Sequence, residues 1–385
     1  MLIQFLIFDF ILSFLIASFV YKNSKVYYTP CKFKDKDNKE IDIHKVFEVF
    51  HAHDELVFWK LWLGCFFNFP WKFPLSLFIA LTMKFHLQLI LKLYKNTDTD
   101  PSHWKRMKRA ISFWSTFFLY ANGIRVLHKN VDCTEVYKKY LGEDYDFTDD
   151  KYSLLMSNHI GFFEVVVLMS IYSAGFIAKI DVANYYFVGP IATAMHCLYI
   201  KRENPNSRHI IFDQLEERQK AFYNGKFLAP LAMFPEGTCT CGRNILRFKR
   251  GTFYALLPIK PLIINIYQES NYHLSVGAAA VVMSYIKNFC HCIEPMYVVD
   301  MPVIKPTEYM YEKFKDLSKE KWEIYALVVR KIYSEVGGLE ESDMGLRDEK
   351  RYNYAMKYGV YDPDTDPNDP NYLKKKSGYT KEKID

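Results

Sequence analysis

No Gly-x-Ser-x-Gly elbow occurs anywhere in these 385 residues. Without one, the strained nucleophile turn of a serine hydrolase has no candidate. The eight cysteines show no disulfide-framework spacing and read as reduced thiols. Two Cys-x-Cys pairs, Cys239/Cys241 and Cys290/Cys292, depart from the Cys-x2-Cys spacing of zinc knuckles, so no metal site is expected. The stretch from Asp362 to Asn371 has the look of a calcium loop but lacks its glycine and terminal glutamate. Charge of one sign is scarce too: 50 Lys+Arg against 44 Asp+Glu leave a net charge of +6. That excess suits an anionic membrane surface or a phosphorylated ligand. With no nucleic-acid-binding motif present, it points to no nucleic acid partner. Internal repeats are absent.

Apolar residues, in contrast, are plentiful: half the chain is hydrophobic and 17% is aromatic. From Met1 to Tyr21 the run is broken only by Gln4, Asp9 and two serines, a length that matches a hydrocarbon core of roughly 30 Å. No basic stretch precedes the run and no small-x-small cleavage site follows it. Residues 1–25 therefore read as a retained transmembrane anchor. Lys22 and Lys25 directly behind it place the bulk of the chain on the cytosolic or matrix side. Asp9 is costly in lipid and is expected to face a partner, a headgroup or a bundle interior.

Residues 26–55 are polar and charged, an exposed linker. Residues 56–95 are aromatic-rich and divided by Pro70 and Pro74, which predicts a pair of helices dipping into one leaflet. From Ser102 to Tyr120 a basic start runs into an aromatic helix, and Ile124–His128 alternates like a strand. Further strand candidates are Ser153–Met156, Ala174–Ala178, Cys197–Ile200, Ala229–Phe234 and Leu262–Ile266. Glu164–Tyr172 and Ser207–Asn224 are the clearest helices between them. Alternation at this spacing predicts an α/β domain over 96–336, with a mostly parallel sheet flanked by helices. Residues 337–385 read as a polar tail whose Asp/Pro/Asn stretch cannot form a core.

Chemistry gathers at two strand ends. Ser157-Asn158-His159-Ile160-Gly161-Phe162-Phe163-Glu164 follows the strand at 153–156 and opens a helix. Five residues turn a helix by about 140°, so His159 and Glu164 meet only if His159 folds back from the preceding loop. Glu164 would then hold one ring nitrogen and leave the other free as a base. Phe234-Pro235-Glu236-Gly237-Thr238 follows another apolar strand and puts N–H groups, a hydroxyl and a carboxylate in one small volume. Arg202, at the carboxyl end of a third strand, offers a planar fork of donors to a phosphate. In open α/β sheets that edge is where ligands sit.

In this order, Asn-His-x4-acid, Gly189 to Arg202, Phe-Pro-Glu-Gly-Thr and the proline-bearing strand Leu257-Pro258-Ile259-Lys260-Pro261 resemble the glycerol-phosphate and lysophospholipid acyltransferase family. The resemblance covers about residues 100–335. Phe-Pro-Glu-Gly-Thr-Cys-Thr with Phe248-Lys249-Arg250-Gly251, and Met301-Pro302-Val303 with Pro306-Thr307-Glu308, look most like the lysophosphatidylcholine acyltransferase branch. The resemblance implies that His159 deprotonates the free hydroxyl of a lysophospholipid, which attacks the thioester of acyl-CoA, a co-substrate with no bound cofactor beside it. Glu164 would orient His159, and Asn158 and Gly161 would line the acceptor site. Arg202, Glu236, Gly237 and Thr238 would hold the phosphate and glycerol, and Lys179 and Lys249 would meet acidic groups of substrate or CoA. One residue departs from the family pattern, which has aspartate where this chain has Glu164.

Membrane phospholipid or lysophospholipid and acyl-CoA are the implied partners. A second reading makes the chain an inactive, lipid-binding subunit whose N-terminal helix and C-terminal tail are held by partners in a membrane complex. The expected location is the endoplasmic reticulum, with a mitochondrial membrane second. The ending Lys381-Glu382-Lys383-Ile384-Asp385 has the Lys-x-Lys-x-x form of a retrieval signal.

Overall fold

A computed structural model describes residues 2–28, 31–34, 40–41, 47, 57–200, 207–266, 285–288, 293–358, 361–362, 364–369, 371–372 and 380–383. Helix α1 (Leu2–Tyr28) is followed by two short strands, β1 (Cys31–Lys34) and β2 (Glu40–Ile41), and by helix α2 (Phe58–Leu93). Both helices are long and apolar enough to cross a membrane. They pack through aromatic edges: Phe10 and Phe14 meet Trp62 at ring-centroid distances of 4.7 and 5.9 Å. Ala17, Val20 and Leu61 are buried with them, while Phe5, Phe8 and Leu15 of α1 and Phe67, Phe78 and Phe85 of α2 face outward.

The helix pair expected over 56–95 is one helix of 36 residues with Pro70 and Pro74 inside it. Each proline removes a helical N–H, yet the helix continues through both. Lys72, between the prolines, donates to the carbonyls of Asn122 and Asn288, each at 3.1 Å. Ser76, just past them, accepts from the Asn122 amide at 3.0 Å. This buried polar knot ties the middle of α2 to the domain beneath it.

Helix α3 (Pro101–Ala121) starts where the Asp100 carboxylate accepts from the N–H groups of Ser102 (2.8 Å) and His103 (3.1 Å), with Pro101 in the first helical position. Trp104, Met107, Ile111, Ser115 and Leu119 form its buried stripe at helical spacing. The chain continues through β3 (Ile124–Lys129), α4 (Thr134–Leu141), β4 (Leu154–Ser157), α5 (Phe163–Tyr172), β5 (Gly175–Lys179), α6 (Val188–Ala194) and β6 (Leu198–Ile200). After α7 (Ser207–Tyr223) come β7 (Leu231–Met233), β8 (Asn244–Leu246), β9 (Ile259–Ile266) and β10 (Glu294–Asp300). Helices α8 (Glu308–Lys313) and α9 (Lys321–Gly337), strand β11 (Glu340–Ser342), helix α10 (Leu346–Tyr358) and strand β12 (Thr380–Lys383) complete it.

Seven strands form the central sheet in the order β3-β10-β9-β4-β7-β5-β6. Every neighbouring pair is parallel except β10 with β9, so the α/β, mostly parallel sheet expected from the alternation is present. All six strand candidates are in it. Because both faces are covered, successive residues of one strand enter opposite cores: Leu155 joins Leu262, Met296 and the α3/α5 side chains, whereas Leu154 and Met156 join Tyr137, Ile263 and Tyr333.

Residues 337–385 contain more structure than a polar tail. Strand β11 pairs in parallel with β8, β12 pairs antiparallel with β1, and α10 buries Tyr352, Ala355 and Met356. Tyr361 and Tyr372 are buried as well. The Asp/Pro/Asn composition hides this because a few aromatics at wide spacing anchor the segment. Likewise the linker expected over 26–55 contributes β1 and β2 to the small sheet that β12 closes.

Candidate active site

Strand β4 ends at Ser157, and the next residue locks the strand end in place. The Asn158 amide donates to the Ile264 carbonyl at 2.9 Å and accepts from the Ile264 N–H at 2.8 Å, mimicking one more rung of the ladder to β9. Asn158 is buried, with both ends of its amide engaged. It positions the loop through Ile264.

His159 follows in the loop, ahead of α5, as its pairing with Glu164 requires. Its Nδ1 lies 2.6 Å from Glu164 Oε1, and the same oxygen accepts from the N–H groups of Gly161 (2.6 Å) and Ile160 (3.1 Å). A carboxylate only accepts, so in the neutral ring Nδ1 carries the proton and Nε2 the lone pair. Glu164 is 1% exposed and His159 22%: the acid is inside and the ring reaches the surface. Glu164 Oε2 is buried and takes no hydrogen bond from the described residues. Gly161, expected to line the acceptor site, gives its N–H to Glu164. The His159 backbone is pinned as well: its N–H donates to Glu236 Oε1 at 2.8 Å and its carbonyl accepts from Thr240 N–H at 2.9 Å.

Strand β7 lies beside β4 in parallel, so both carboxyl ends open on the same edge. Phe234 leaves β7 and stacks its ring on the His159 imidazole, with centroids 4.2 Å apart and planes at 14°. Phe176 of β5 backs Phe234 at 6.0 Å. Glu236 is buried, and its second oxygen accepts from Leu246 N–H at 3.0 Å. Both Glu236 oxygens therefore hold backbone. Gly237 has φ 72°, and a Cβ there would come within 2.5 Å of Lys249 Nζ, so the lysine crosses directly over the turn. Thr238 donates its hydroxyl to Glu349 Oε2 at 2.7 Å.

Burial alone would lower the pKa of His159. The Cys239 thiol hydrogen-bonded to the ring and the Glu164 carboxylate outweigh it and raise that pKa well above the ordinary value. Burial pushes the Cys239 thiol up, against the pull of the His159 ring. Burial also raises Glu236, to about 7, against the stabilising N–H groups of Leu246 and His159.

The fold thus brings together His159, Glu164, Asn158, Gly161, Glu236, Gly237, Thr238 and Lys249. Lys179 is exposed at the end of β5, next to β7 in the sheet. Arg202 lies outside the described residues, as do Cys290 and Cys292. Cys241 is buried with its Sγ 3.8 Å from Asn244 Oδ1. Among the described residues no three of the His, Cys, Asp and Glu side chains are grouped as a metal site. Three contributors escape sequence reasoning. Phe234 and Cys239 sit inside a motif whose pattern does not say which side chain touches the imidazole. Glu349 arrives from 111 residues beyond Thr238.

Residues 139–268 match the family model described as Acyltransferase. Lysophospholipid acyltransferase LPEAT1 of Arabidopsis thaliana is 26% identical over 270 residues, 66% of this chain and 65% of that protein. The lysophosphatidylcholine acyltransferase of Drosophila melanogaster is 24% identical, over 51% of this chain and 35% of the relative. Human lysophospholipid acyltransferase LPCAT4 is 28% identical, over 29% of this chain and 21% of its own length. The chain therefore spans less than two thirds of each of these relatives. Among solved structures, the 1-acyl-sn-glycerophosphate acyltransferase PlsC of Thermotoga maritima aligns with a TM-score of 0.46 and 14% identity, covering 70% of this chain and 97% of that one. The segment that matches the acyltransferase family model, 139–268, is the one that holds the His159–Glu164 pair and the Pro-Glu-Gly-Thr turn.

Proposed function

We propose that this chain transfers a fatty acyl group from acyl-CoA to the free hydroxyl of a lysophospholipid. The observation that carries the reading is the 2.6 Å contact between His159 Nδ1 and a buried Glu164, which in the neutral ring leaves the Nε2 lone pair at the ligand edge of the sheet. His159 Nε2 takes the proton of the acceptor hydroxyl as its oxygen attacks the thioester carbonyl. The new C–O bond forms, the C–S bond to CoA breaks, and the imidazolium returns the proton to the departing thiolate. The hydroxyl replaces the Cys239 thiol as the partner of the ring. Glu164 holds the imidazole in one tautomer and balances its transient charge, and Phe234 fixes its plane. Thr238, Lys249 and Lys179 border the space for the acceptor's phosphate, with Arg202 assigned there from its place in the sequence.

The outward-facing aromatics of α1 and α2 support attachment to the membrane that supplies the lysolipid, in the endoplasmic reticulum first and mitochondria second. The test is purified full-length protein with labelled acyl-CoA and a panel of lysolipids, in wild type and His159→Ala. Product from the wild type and a loss of about 100-fold or more in a variant of unchanged melting temperature is the expected result. Equal transfer by both would remove His159 from the chemistry. The rival, an inactive lipid-binding subunit, rests on glutamate standing at 164, and predicts no product from either protein and co-purification with a stable membrane complex.

A further inference from the structure

Glu349 belongs to α10, outside the segment that matches the acyltransferase family, yet its carboxylate enters the candidate acceptor site. Oε2 accepts from Thr238 Oγ1 at 2.7 Å. Burial raises its pKa, against the pull of the Thr238 hydroxyl and the nearby positive charges of Lys350, His159 and Lys179. The group is not at the end of a loose arm. Directly before it in the chain, Asp348 accepts from Gly345 N–H at 2.9 Å and from Arg351 at 3.0 Å, and Arg351 also donates to the Thr365 carbonyl at 3.1 Å. The neighbouring Tyr352 is wholly buried. The helix thus presents a fixed acidic group to the turn that the proposed function assigns to phosphate.

We propose that Glu349 selects the acceptor's headgroup, favouring lysophospholipids whose phosphate carries an ammonium-bearing alcohol over those ending in a bare phosphate. The proposal rests on the reading of the Thr238 turn as the acceptor site. A phosphomonoester carries a charge of about −1.5 to −2 near neutral pH. Placed at Thr238 it meets the Glu349 carboxylate at close range, in surroundings where charges are poorly screened. A phosphodiester bears one negative charge and, two carbons farther on, its own cation. Lys179 and Lys249 can face the first, and Glu349 the second.

The experiment is internal competition with the full-length protein in detergent. Equal amounts of lysophosphatidylethanolamine and lysophosphatidic acid compete for labelled acyl-CoA, and the two products are measured from the same tube. Their ratio does not depend on how much protein is folded. Wild type should favour the ethanolamine product, and Glu349→Gln should reduce the ratio by about tenfold, the effect of one lost charge contact. An unchanged ratio overturns the proposal, including the case in which both products rise together because Glu349 merely blocked the site. Displacement of a fluorescent lysolipid from wild type and from Glu349→Gln by the same two lipids gives the ratio without turnover. If no product forms, the proposed activity fails, while a headgroup preference in binding that Glu349→Gln abolishes still upholds the role of Glu349. A binding ratio indifferent to the substitution sinks it.

Discussion

Glutamate reaches one methylene farther than aspartate, and at position 164 that length is used. One oxygen gathers His159 Nδ1 and the N–H groups of Ile160 and Gly161 within 3.1 Å. The backbone has closed around the longer side chain, so the family's usual residue should not improve this site. Glu164→Asp withdraws the carboxylate by more than an ångström from three donors at once, and a displacement of that size costs roughly 100-fold in rate. Transfer measured under saturating acceptor should fall by that order; an equal or faster Asp variant would mean that the three contacts do not position the base. The pH profile gives a second readout. A base works in its neutral form, and the pKa of His159 is raised, so transfer should decline as pH falls through a value above the ordinary 6.5 of histidine. In Glu164→Gln the burial that lowers this pKa stays while the carboxylate that raises it is gone. The acid limb should therefore move to lower pH, with a reduced plateau. A limb that does not move would assign it to another group.

At the scale of elements, the site is the meeting of two parallel strand ends, and each end is fastened by a polar side chain acting as backbone. Asn158 joins β4 to β9, while Glu236 joins the His159 loop to Leu246 of β8. Asn158→Ala leaves the N–H and C=O of Ile264 unsatisfied and buried, which should cost about 2–4 kcal/mol in chemical denaturation. Transfer by the folded fraction should drop too, because the histidine loses the floor of its loop. A variant of native stability would show that water replaces the amide. Much of this was legible in the sequence. Strands β4 and β7 and the Leu262–Ile264 part of β9 appear as short apolar runs, and His159 could meet Glu164 only from a loop. Strand β10 was not legible because Glu294 and Pro295 break its pattern at the start. The prolines of α2 misled because Lys72 and Ser76 find partners more than forty residues away. Nor can a local pattern bring Glu349 to Thr238.

For the whole molecule, two outward-facing apolar helices lie against an α/β domain whose ligand edge carries the histidine. Helix α2 is fastened to that domain through Lys72 and Asn122, so the depth of one sets the depth of the other. At 1.5 Å per residue its 36 residues extend about 54 Å, well beyond a hydrocarbon core of roughly 30 Å. If α1 and α2 enter the bilayer, part of α2 must lie outside the hydrocarbon or at a steep tilt. Two of its tryptophans can report which. Trp59 is 56% exposed and Trp71 46%, and the step of twelve positions from one to the other corresponds to about 18 Å along the axis. In vesicles containing lipids brominated at successive acyl positions, variants retaining only one of the two should be quenched at different depths. Equal depths would mean that α2 lies flat on the interface, and no quenching at either would leave it outside the membrane. If α2 enters the bilayer it is also a ruler, and its two marks report how deep the domain that carries His159 sits.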